Sequence, residues 1–157
     1  MNNAPQYTRT EFLTKLALCE ERAPESFTRA IAALGLESKA VFTCGGPCLP
    51  SSVAIATGRN LSGVASDMNA GGFQSECVLD GVYLDRVREA LASSTRAFSP
   101  CPEFHGQTLK AAAETGRTFV AIVAGGHHAV CIKGGDLYDT AGKSMRCRIK
   151  KIYEIFA

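Results

Sequence analysis

A cysteine attacks carbonyl carbon only as the thiolate, so a catalytic cysteine needs something that lowers its pKa and a base that handles its proton. The segment Thr43-Cys44-Gly45-Gly46-Pro47-Cys48-Leu49-Pro50-Ser51-Ser52 offers the first requirement. Its two glycines make a loop, and the prolines around Cys48 preset the φ angles of a helix start. Val53 to Thr57 continues as a helix of small residues that closes at Gly58. A thiol at a helix N-terminus feels unpaired N–H groups and the positive end of the dipole. Its own N–H is then a candidate oxyanion donor. Cys44 comes too early in the loop to gain that field.

The base must come from elsewhere in the chain, because nucleophile and base meet in space. Of the three histidines, His105 lies in a proline-flanked loop and reads as an exposed polar residue, whereas His127 and His128 open a strand. Strand alternation turns those two to opposite faces, so one of them can address a cysteine. Asp139 follows on the next strand across a short hairpin, within reach to bond an imidazole and fix its tautomer. Asp136, nearer the turn, reads as a solvated turn residue. Cys44 and Cys48 with His127 and His128 would also satisfy zinc chemically. Neighbouring histidines on a strand diverge, however, and the usual closed-site spacings are absent. Gly45-Gly46 is no phosphate cradle, since no Lys-Ser/Thr follows.

The elements that would carry these residues can be read from period and punctuation. Thr8 with Glu11 has capping-box spacing, and Phe12, Leu13, Leu16 and Ala17 form one helical stripe ending near Arg22. Pro24 opens a second helix that turns Phe27, Ile31 and Leu34 inward and stops at Gly35. Together these make a helical lead-in over 1–38, before a core over 40–157. Leu61 to Met68 and Leu84 to Leu91 are further amphipathic segments, and Gly71-Gly72 separates them. Ser99 to Gly106, with Pro100 and Pro102, is expected to be loop and a candidate cleft wall. Thr108 to Glu114 makes a short helix. Strands are then expected over Thr118 to Ala124, His127 to Ile132, Leu137 to Thr140 and Cys147 to Phe156, with Lys133-Gly134-Gly135 a hairpin turn. Helices first and an antiparallel meander second define an α+β domain, with no βαβ alternation.

The 157 residues suffice for one domain with a real core. A hydrophobic fraction of 46% and a charged fraction of 20% are ordinary for a globular protein. The formal charge of +2 and the absence of Trp argue against a nucleic-acid partner. Arg146, Arg148, Lys150 and Lys151 cluster, but their alternation reads as a solvated strand face. The first residues are polar and broken by Pro5, unlike a secretory signal, and no apolar run nears the roughly 20 residues of a membrane helix. Seven cysteines, an odd number without framework spacing, suit reduced thiols. The expectation is a cytoplasmic protein with no membrane partner, in which Cys19, Cys77 and Cys131 serve as small buried apolar groups.

Cysteine at a helix start, histidine opening a strand and an acid on the next strand is an order that resembles the papain-like superfamily. More narrowly, Cys48 to Gly58 (CLPSSVAIATG) resembles the nucleophile helix of small bacterial and phage proteins of that fold. The stretch His128 to Thr140 (HAVCIKGGDLYDT) resembles their base-and-acid hairpin. The likeness spans roughly residues 40 to 145 and leaves the lead-in helices aside. It implies a papain-like fold and a Cys48-His128-Asp139 triad acting on an amide of a peptide or protein substrate, without a cofactor or metal. It also selects His128 over His127 and Cys48 over Cys44. The alternative it leaves is a catalytically weak scaffold acting as a phage or bacterial binding or inhibitor protein. One departure stands out: papain-like enzymes usually carry Gln or Asn several residues before the cysteine, and Phe42 to Pro47 holds neither. A backbone N–H of the glycine loop, the Thr43 hydroxyl or Gln107 would have to serve instead.

Overall fold

Phe119-Val-Ala-Ile-Val123 is apolar at every position because both of its faces are covered. Val120 and Ile122 face one core cluster, while Phe119, Ala121 and Val123 face the other. This strand, β2, is the centre of a computed structural model that describes residues 25–35, 48–71, 81–95, 97–123, 128–140 and 144–156, with backbone alone for 81–85. The expected helix over Thr8 to Arg22, the loop with Cys44, and His127 lie outside the described residues. Helices pack on a five-stranded antiparallel sheet, as the α+β reading expects.

Strand β3 (His128–Lys133) pairs with β2 from Phe119↔Ile132 to Val123↔His128. Gly134 and Gly135, at φ of 62° and 86°, return the chain into β4 (Asp136–Tyr138). Two successive positive φ values are what a tight hairpin of this hand requires, and only glycine adopts them without strain. On the other side of β2 lies β5 (Lys151–Ile155), and beyond it β1 (Phe98–Pro100), giving the order β1-β5-β2-β3-β4.

Three expectations shift. Ser99 and Pro100 are not loop: Phe98–Pro100 pairs with Tyr153–Ile155 as an edge strand, where a proline without N–H is tolerated. That edge is three strands from β3, or about 14 Å at ordinary strand spacing, so the segment is no wall for a site at His128. The strand expected to run to Thr140 ends at Tyr138, and the one expected from Cys147 begins at Lys151.

Among the described residues five α-helices pack around the sheet. Helix α1 (Glu25–Ala33) buries Phe27, Ala30 and Ile31 and lies against β4; Gly35 at φ 68° follows its end. Helix α2 (Cys48–Thr57) is buried from Cys48 through Ala56, which explains its small side chains and lack of a polar face. It packs on β3 and β2, with α3 (Leu61–Ala70) on its other side. Asn60 caps α3, its side chain accepting from the N–H groups of Ser62 and Gly63. Helix α4 (Gly81–Ser94) buries Val87, Ala90 and Leu91 against the same core, and α5 (Leu109–Ala113) covers the opposite face of the sheet. Among the described residues no helix is long and apolar enough to cross a membrane.

Candidate active site

Two contacts fix α2 along β3. Lys133 Nζ, at the end of β3, donates to the carbonyl of Ile55, 3.1 Å away, near the negative C-terminal end of the helix. At the other end, the Cys48 side chain at the first position of the helix is near enough to His128, the first residue of β3, to raise the pKa of its ring. Helix and strand therefore run side by side in the same direction, with cation and carbonyls at one end and thiol and imidazole at the other.

Asp139 arrives by register. Tyr138 stands opposite Cys131 as the last pair of the β3–β4 ladder, and Asp139 is the residue just past it. His128 Nε2 and Asp139 Oδ1 are 2.6 Å apart, the length of a charge-assisted hydrogen bond. Because Asp139 takes Nε2, Nδ1 is the ring nitrogen left for Cys48. The rows on β3 point Ala129 and Cys131 toward α2 and Val130 and Ile132 away from it. His128 lies beyond Ala129 at the open end of the strand, where its ring meets both partners.

All three side chains are out of water: Cys48 is 0%, His128 5% and Asp139 1% exposed. Burial by itself lowers the His128 pKa. The hydrogen bonds to Asp139 and Cys48, and the negative charges of the same two groups, outweigh it and raise the value to about 9. The other buried thiols have no such partner. Burial pushes Cys131 up to about 12, little offset by Lys133, and burial likewise raises Cys101. Cys131 is thus the small apolar group the sequence suggested.

The remaining candidates take other places. His105 is exposed at the end of the short helical turn Pro102–Phe104. Asp136 is exposed and stands 3.9 Å from Arg29. Gln107, considered as an oxyanion donor, gives its amide Nε2–H to the Glu103 carbonyl at 2.8 Å and is exposed. Thr43 and Cys44 lie outside the described residues. Among the described residues, no group of three His, Cys, Asp or Glu side chains is placed to hold a metal ion.

Three hydroxyls that sequence reasoning did not single out belong to this neighbourhood. Ser51 follows Cys48 by three residues on α2, Thr140 adjoins Asp139, and Ser26 lies on α1, whose carbonyl accepts the Asp139 N–H at 3.1 Å. Among the described residues, none of these three buried hydroxyl oxygens has a hydrogen-bond partner. Such groups are rare in a folded core and accumulate where water or ligand is handled. A cavity of about 620 Å³, lined by Thr57, Arg59, Asp67, Ser93 and Phe156 among others, opens elsewhere. It lies at the far end of α2, about 13 Å from Cys48 by helical rise.

No protein-family model, curated protein or solved structure matches the chain.

Proposed function

We propose that the protein is a papain-like cysteine hydrolase, a peptidase, isopeptidase or amidase type of enzyme. The observation that carries this reading is the meeting of three residues from distant segments in one buried polar chain: Cys48 at a helix start, the His128 ring whose pKa it raises, and the Asp139 carboxylate 2.6 Å from that ring. A structural core has little reason to bury such a chain, since each desolvated polar group costs free energy unless paired.

The chemistry follows from the atoms. His128 Nδ1 takes the Cys48 proton, leaving a thiolate beside an imidazolium, and Asp139 stabilises the positive ring through Nε2. The thiolate attacks an amide carbonyl and forms a C–S bond. The Cys48 N–H, one of the free donors of the first helical turn, faces the developing oxyanion. Collapse breaks the C–N bond, and His128 returns its proton to the leaving amine. Water, deprotonated by His128, then cleaves the thioester to acid and free thiol. No cofactor enters the scheme. A peptide or protein amide is the substrate class it suits.

A second reading has its own observation: Cys48 is fully covered, and Gln107 is engaged away from the triad. Both favour a scaffold that binds a bacterial or phage partner without turnover. Losing one oxyanion donor typically costs about 2.7–4 kcal/mol of transition-state stabilisation.

Limiting iodoacetamide across pH 5 to 9, read residue by residue by mass spectrometry in wild type and His128→Ala, separates the two readings. The hydrolase requires Cys48 to label first, and its labelling to slow when His128 is removed. Labelling of Cys48 no faster than Cys101 or Cys147, and indifferent to His128, would sink the catalytic reading in favour of the binding one.

A further inference from the structure

Strand β4 is the last in the sheet, and among the described residues no strand lies beyond its outer edge. Tyr138 points its N–H and C=O to β3 in the pair with Cys131, so Leu137 and Asp139 turn theirs outward. Helix α1 meets both. Arg29 Nη1 donates to the Leu137 carbonyl at 2.7 Å, and the Ser26 carbonyl accepts the Asp139 N–H at 3.1 Å. The same guanidinium lies 5.7 Å over the Tyr138 ring and 3.9 Å from the Asp136 carboxylate. Four consecutive residues, 136 to 139, are thereby held from one helix face.

The ladder with β3 ends at Tyr138. Past that point the sheet no longer sets the chain's course, yet the Asp139 carboxylate must meet His128 within a few tenths of an ångström to keep a 2.6 Å contact. The backbone of Asp139 is fixed there by α1, through a hydrogen bond aligned with the one Arg29 makes two residues earlier.

We infer that Arg29 is a positioning residue for the proposed triad: it locks the outer edge of β4 so that Ser26 can fix Asp139 against His128. This deepens the hydrolase reading and rests on it for its meaning, though the geometry it describes can be measured without turnover. Arg29 touches neither the thiol nor the imidazole; it acts through the strand end that bears the acid. Among the described residues, Asp139 and the Cys48 side chain are the groups whose interactions raise the His128 pKa, so loosening Asp139 removes the larger of the two.

The test is a histidine-ring NMR titration, with iodoacetamide labelling of Cys48 at pH 7, on Arg29→Ala, Arg29→Lys, Asp139→Asn and the double variant Arg29→Ala/Asp139→Asn. Arg29→Ala is expected to lower the His128 pKa by about one unit and slow Cys48 labelling. Arg29→Lys, which keeps a cationic donor for the Leu137 carbonyl, should recover part of both. In the Asp139→Asn background, Arg29→Ala should add nothing, because the group it positions is gone. A merely structural role would lower the melting temperature and leave the His128 titration where it was, and that result overturns the inference. Hydrogen exchange on the wild-type protein gives an independent readout should Arg29→Ala fail to fold. The Asp139 amide should exchange together with those of α1, and exchange at the rate of an open amide would equally overturn it. An unreactive Cys48 in wild type, with the His128 shift present, removes the hydrolase and leaves the positioning intact.

Discussion

His128 Nε2 and Asp139 Oδ1 lie 2.6 Å apart where two strands end: His128 opens β3, and Asp139 follows the last residue of β4. Strand ends are where backbone pairing stops dictating side-chain direction, so groups from several elements can converge there. Cys48, at the end of α2, completes the convergence.

The Asp139→Asn variant follows from this contact. Asparagine keeps the shape but removes the charge, and with it the first of the interactions that offset burial of the ring. The His128 pKa should fall from about 9, and Cys48 should label more slowly at pH 7. Histidine-ring NMR in both proteins measures the shift. An unchanged titration would mean that Asp139 does not hold the imidazolium.

The same pairing makes stability depend on pH. His128 binds its proton more tightly in the folded protein, at about 9 against 6.5 when unfolded. Its contribution is fully present below pH 6.5 and is lost as pH rises through 9. The gap corresponds to at most about 3 kcal/mol. Urea midpoints at pH 6 and pH 10 should therefore differ more in wild type than in Asp139→Asn, a comparison in which the titration of other groups cancels. Equal differences in the two proteins would count against the raised value.

Much of this was legible in the sequence because it depends on local rules. A glycine pair marked the β3–β4 turn, prolines and small residues marked α2, and a continuous apolar, β-rich run marked β2. Cys48 and His128 stood at element starts, where period changes to punctuation, and Asp139 on the strand across the hairpin from His128. What could not be read was tertiary. Pro100 looked like loop because an edge strand tolerates proline, and only its pairing with Tyr153 reveals the strand. Arg29 carried no signal, since a surface arginine on an amphipathic helix is ordinary until its helix is known to lie along β4. The papain-like assignment rests on residue order and on the site, not on a matched fold.

Lys133→Met tests how α2 is held. The ammonium satisfies the Ile55 carbonyl near the helix C-terminus and complements the dipole there. Lys133 is largely exposed, so its loss should cost only about 0.5–1 kcal/mol by denaturant titration. Labelling of Cys48 at the other end of the helix should persist, because its partners His128 and Asp139 are untouched. A collapse of labelling with little loss of stability would instead show that Lys133 sets the position of the whole helix.

Cys48→Ala removes one heavy atom from a fully buried position, which predicts a stability loss of about 1 kcal/mol and retention of the fold. It also removes the thiol whose interaction helps raise the His128 pKa, so that value should fall from about 9 even though the two residues lie far apart in the sequence. Hydrolysis of a responsive amide substrate should drop by at least about a thousandfold, as loss of a nucleophile does in enzymes that act through a triad. The two readouts are separable. A fall in the His128 pKa shows that thiol and imidazole interact; loss of turnover shows that the interaction is used. Full hydrolytic activity in Cys48→Ala would end the proposed mechanism, whatever the titration showed.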